Sequence, residues 1–134
     1  MTHAAAGTFE VKLTPQSVHD AAQSAAFARL SIAKTFAGDL AATSVGEMLA
    51  IPPGPTGSGV YVAIERVTGT LGGKRGTFAL HHTGLMTRGA PTLDLRVVPE
   101  SGTDELAGLT GSMRILIEGR NHSYEFEYAF ETPA

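Results

Sequence analysis

The chain has 134 residues, 43% of them hydrophobic and 17% charged, with a formal net charge of −3. That is enough chain for one domain around one core, taken here as 1–134, and the balance excludes wholesale disorder and a basic nucleic-acid-binding surface. The absence of cysteine excludes disulfides, thiolate nucleophiles and cysteine metal sites.

The opening residues, Met1 to Gly7, lack a basic stretch followed by a long apolar run, so no signal peptide is expected. No segment approaches the roughly 20 apolar residues of a membrane-spanning helix. The expectation is a cytoplasmic protein with neither a membrane nor a nucleic-acid partner.

Short alternating segments rich in Val, Ile, Thr, Phe and Tyr, separated by glycine-bearing turns, recur along the whole chain and predict an all-β domain. The expected strands are Thr8 to Leu13, Ala28 to Phe36, Leu40 to Ile51, Gly59 to Val67, Gly76 to Met86, Thr92 to Val98, Gly111 to Glu118 and Ser123 to Glu131. Between the first two, Thr14-Pro15 followed by Val18, Ala21, Ala22 and Ala25 has an N-cap, a Pro at the first helical position and helical apolar spacing, which predicts a short helix or ordered loop. Pro52 to Gly59 cannot continue a ladder, because proline lacks the N–H; it is expected as a loop forming the lip of a cavity. The remaining connections suit hairpins. An eight-stranded antiparallel meander leaves two free edges, and closing it into a β-barrel, lipocalin-like in general shape, removes them.

The glycine-rich stretch Thr68 to Gly84 sets the register. A turn at Gly72-Gly73 places Val67 opposite Phe78 and Ala63 opposite His82, so Tyr61, Glu65, Val67, Phe78, Leu80 and His82 share one face. A turn at Arg88-Gly89 adds Leu93, Leu95 and Val97 to that face and sets His81 beside Arg96 on the other. A turn at Arg120-Asn121 would pair Ile117 with Tyr124, Ile115 with Phe126 and Met113 with Tyr128, with Arg114 beside Glu127. Lys34, alternating with Ile32 and Phe36, and Glu47, between Val45 and Leu49, are expected on the inner face as well.

Inside the barrel this collects Lys34, Glu47, Glu65 and His82 among apolar neighbours. Buried charges are costly unless paired, so such a set marks either a pocket or an internal ion pair filling a narrow barrel. Metal and cofactor motifs are absent. The Gly-Lys pair lacks the spacing of a phosphate loop, since position 68 is Thr and position 75 is Arg, and a strand follows where a helix is required. His81 and His82 point to opposite faces and cannot grip one ion together. Glu65 and His82 are the candidate catalytic pair for general acid/base chemistry. The stripe Tyr124, Phe126, Tyr128 and Phe130 reads as core.

Three segments resemble a bacterial domain-of-unknown-function family of small β-barrels similar to allene oxide cyclase. They are Lys34-Thr35-Phe36-Ala37-Gly38-Asp39-Leu40, then Ile64 to Leu71 with Gly76-Thr77-Phe78 and His82, and Ser101 to Gly111. The resemblance implies an eight-stranded barrel with an apolar cavity, often in an oligomer, and no established activity; for a cyclase-like glutamate only Glu65 or Glu47 could stand in.

The leading expectation is a binding module for a small apolar molecule, oriented by Lys34, Glu47, Tyr61, Glu65 and His82, without a cofactor and in a homo-oligomer, first of all a dimer. Two alternatives stand beside it: an isomerase or cyclase using Glu65 and His82, and a structural or oligomeric protein with a filled barrel. A cavity of at least about 300 Å³ touching Glu65 or His82 separates the first two from the third.

Overall fold

The computed structural model describes residues 1–21 and 25–131. Its strands are β1 (His3–Gln16), β2 (Ala28–Gly38), β3 (Leu40–Ile51), β4 (Gly59–Leu71), β5 (Lys74–Thr87), β6 (Ala90–Val97), β7 (Leu109–Glu118) and β8 (Asn121–Phe130), with a short 3-10 turn at Asp104–Leu106. They pair in sequence order, and β1 returns to β8 to close the barrel. Among the described residues no helix is long and apolar enough to cross a membrane.

Hairpin geometry follows from the turn residues. Gly72 and Gly73 both have positive φ, as do Arg88 and Gly89, the combination a two-residue turn needs to match strand twist. The pairs Val67–Phe78, Ala63–His82, Leu95–His82 and Arg96–His81 form as expected.

Three expectations are corrected. Strand β1 runs through Thr14 and Pro15 to Gln16, so these residues pair with Ser31 and Leu30 and do not start a helix. Asp20 and Ala21 have helical backbone and Ala25 lies in a turn, while residues 22–24 of the expected segment lie outside the described residues. The β7–β8 turn is made by Gly119 and Arg120, one residue earlier than expected. Ile117 therefore meets His122, Ile115 meets Tyr124, Met113 meets Phe126, and Arg114 pairs with Glu125. A shift of two in the pairing sum keeps every side chain on its expected face, because the strand period is two. The third correction, Glu47, belongs to the site.

One half of the barrel is solid. Leu40, Leu71, Phe78, Leu106, Leu109 and Phe126 are fully buried there. The seam between β6 and β7 has a single ladder pair, Arg96 with Ser112, and the chain between them completes the sheet with side chains. Ala79 N–H donates to Ser101 Oγ at 3.0 Å and Thr77 N–H to Thr103 Oγ1 at 3.0 Å. Gly102 is required between them, since a Cβ there would collide with the Leu106 carbonyl. Leu106 then plugs this end.

Candidate functional site

The inward residues of β3 are Leu40, Ala42, Ser44, Gly46, Met48 and Ala50, and from Ala42 to Gly46 they are small. Across that gap Lys34 of β2 reaches Glu65 of β4, two strands away, with Nζ to Oε2 at 2.8 Å. Ser44 Oγ, in the gap itself, donates to Glu65 Oε1 at 2.7 Å. From β5, His82 Nε2 comes within 2.9 Å of Glu65 Oε2, but the carboxylate lies off the N–H axis and Nε2 makes no aligned hydrogen bond. His82 Nδ1 lies 3.3 Å from the Tyr61 hydroxyl, the two rings meeting edge to face. Lys34 Nζ also sits over the rings of Phe9 and Phe36, 5.2 and 5.8 Å from their centroids, where a cation is attracted by the ring quadrupole.

Glu65 is fully buried, and Lys34 and His82 nearly so. Burial alone would raise the Glu65 pKa. The His82 contact, the Lys34 charge and hydrogen bond and the Ser44 hydroxyl outweigh it and lower the value from 4.5 to about 2, so the carboxylate is ionised and held by partners. Tyr61 is shifted upward, by burial and then by the negative charge of Glu65, which keeps its phenol protonated.

Above this network the barrel is hollow. A cavity of about 750 Å³ opens at the end formed by Ala28, Ala50, Pro52-Pro53, Gly59 and Pro91. Its walls are apolar, including Val11, Leu30, Ile32, Met48 and Ile115, and its polar groups are Lys34, Tyr61, His82, Thr92 and His122. Pro52, Pro53 and Gly59 border its mouth as the expected lip. Glu65 and Ser44 lie beneath the floor and contribute no lining.

Lys34, Tyr61, Glu65 and His82 thus come together. Glu47 does not: it points outward, paired with Arg29, whose Nε donates to Oε1 at 2.7 Å. The expectation failed because the two apolar neighbours that placed it inside, Val45 and Leu49, themselves lie on the outer surface of β3, where Val45 is 68% exposed. Sequence reasoning also missed Ser44 and His122. Ser44 could have been found as the polar member of the small-residue series Ala42, Ser44, Gly46; His122, beside Phe9 at 5.2 Å between ring centroids, was hidden by the misplaced turn.

A model of a protein family of unknown function, DUF3224, matches residues 5–128. The chain belongs to the DUF3224 family. A crystal structure of a DUF3224 protein of unknown function from Shewanella oneidensis MR-1 is 43% identical, with a TM-score of 0.91, and the match covers 99% of this chain and 100% of that one. No curated protein matches. The bacterial family and barrel expected from the sequence therefore stand.

Proposed function

We propose that this DUF3224 protein binds a small, largely apolar molecule in the open half of its barrel, with Lys34, Tyr61 and His82 meeting the molecule's polar end. The observation that carries the reading is the cavity itself: about 750 Å³, apolar-walled, with a nearly buried lysine and histidine at its floor. Ligand sites are of this size and build, with a few polar groups fixing orientation in an apolar enclosure. Kinship with allene oxide cyclase belongs to the same proposal and rests on the eight-stranded barrel with one hollow end. Native mass spectrometry of freshly purified protein tests the reading. A co-purified small molecule, or uptake of the neutral dye Nile red at one site per chain, is expected; neither occurring would refute it.

A second reading, an isomerase or cyclase, is favoured by the chain Tyr61–His82–Glu65 that leads from cavity to buried carboxylate. In it Glu65 is a positioning residue, since it has no cavity surface, and His82 and Tyr61 are the groups that could reach a substrate. Glu65→Gln, measured at a temperature where circular dichroism shows it folded, would then abolish acid/base turnover while sparing much of the Nile red uptake; unchanged turnover would refute this second reading.

A further inference from the structure

The charges at the cavity floor balance before any ligand arrives. Lys34 contributes one positive charge and Glu65 one negative, 2.8 Å apart. Among the described residues Lys34 is the one Asp, Glu, Lys or Arg that lines the cavity, with Glu65 directly beneath it. An ammonium has three N–H donors. One of those on Lys34 goes to Glu65, and among the described residues no second oxygen accepts from Nζ. The other two meet only the faces of the Phe9 and Phe36 rings, weaker partners than an oxygen, at a floor otherwise walled by Ile32 and Ile115. The Tyr61 hydroxyl is engaged with His82 Nδ1, and His82 Nε2 faces the Glu65 carboxylate.

This arrangement discriminates between head groups. A carboxylate brought to Lys34 would be stripped of water and set close to the ionised Glu65, with no unpaired Lys or Arg among the described lining residues to receive it; burying an unpaired charge is strongly unfavourable. A bare hydrocarbon would leave the two N–H donors without acceptors, and a buried donor left unmet costs more than a made hydrogen bond contributes. An uncharged oxygen with two lone pairs satisfies the donors and disturbs no charge.

Resting on the apolar-cavity reading, we infer that the molecule bound here is neutral, with an apolar body and a carbonyl-type oxygen that accepts from the Lys34 ammonium, and that it is not a carboxylic acid. The ion pair with Glu65 serves as a preneutralised donor: it presents a strong hydrogen-bond donor without presenting net charge.

The test is displacement of Nile red at neutral pH by three probes of equal carbon number: methyl octyl ketone, decanoate and decane. The ketone is expected to displace the dye at concentrations roughly tenfold below decane, the increment of one good hydrogen bond, and below decanoate by at least as much. In the double variant Lys34→Met/Glu65→Gln, which removes both charges together and so avoids stranding either, the ketone's advantage over decane should vanish, with decane displacing the dye at a lower concentration than in the parent because the unmet donors are gone. Decanoate displacing at or below the ketone's concentration overturns the inference, as does a ketone no better than decane, or a ketone preference that survives in the double variant. If Nile red does not bind and none of the probes is retained in native mass spectra, the apolar-cavity reading itself has failed. That outcome is distinct from the three that overturn only the choice of head group.

Discussion

Glu65 is tolerable at full burial because three partners converge on it, and its removal from that company is costly. Lys34→Met leaves a carboxylate in the core without its cation, and breaking a buried pair on one side destabilises by about 3–5 kcal/mol. Urea unfolding should show that loss, while Lys34→Met/Glu65→Gln should recover most of it. The same coupling fixes a pH response. The folded-state pKa of Glu65 lies below its unfolded value, near 2 against 4.5. Its contribution is therefore fully present above about pH 4.5 and is lost as the pH falls toward 2. The stabilisation at stake is on the order of 3 kcal/mol. Acid titration of urea stability should show this drop in the parent and not in the double variant. Tyr124 plays a comparable role for the backbone: its hydroxyl accepts from Leu40 N–H at 2.9 Å and donates to the Ala37 carbonyl at 2.8 Å, pinning the β2–β3 turn. Tyr124→Phe strands both groups and should lower stability by about 1–3 kcal/mol in thermal unfolding.

Among the elements, the hairpins were legible in the sequence where glycine occupied a turn that demands positive φ, as at Gly72-Gly73, and where apolar residues alternated on one side only. Strand β3 broke that pattern. Around Glu47 its outer face carries Val45 and Leu49 while its inner face narrows to Ser44 and Gly46, yielding volume to Lys34 and Glu65, so the period-2 rule read this stretch inside out and brought Glu47 in with it. The Thr14-Pro15 signal failed for a different reason. Pairing with β2 carries β1 through a proline whose local context otherwise suits a helix start, tertiary structure overriding a local preference. Site geometry also depends on a cross-strand detail. Gly84 of β5 faces Tyr61 of β4, and a Cβ there would collide with the tyrosine ring. Gly84→Ala should displace Tyr61 from its contact with His82. The tyrosine's fluorescence, or an NMR titration of the His82 ring, would register the change; both unchanged would mean that the glycine has no part in holding Tyr61.

At the scale of the whole molecule, the sequence posed a packed barrel and a hollow one as alternatives, and the molecule combines them along its axis. The solid half follows from Phe78, Phe126, Leu106 and their neighbours, large residues that alternate inward and were legible as core. The hollow half was not legible, because a cavity depends on which small residues, such as Ala28, Ala50 and Gly84, fall at the same height on different strands. Alternation along one strand says nothing about that. If the open half is where a ligand enters, its mouth can be stoppered without touching the charged floor. Ala28 and Ala50 are cross-strand partners lining the mouth, and Ala50→Trp would fill the space between them with an indole. Stability should change by less than about 1 kcal/mol, since the new side chain enters a void and displaces no core residue. Nile red affinity should nevertheless fall by at least about tenfold, equivalent to losing about 1.4 kcal/mol of binding, because the indole occupies the space through which the dye enters. Ala33→Trp is the control: Ala33 is exposed on the outer face of the same sheet, so it adds the same indole without entering the barrel and should leave dye binding at the parent value. Equal binding by the Ala50→Trp protein and its parent would move the ligand's place out of the barrel mouth altogether.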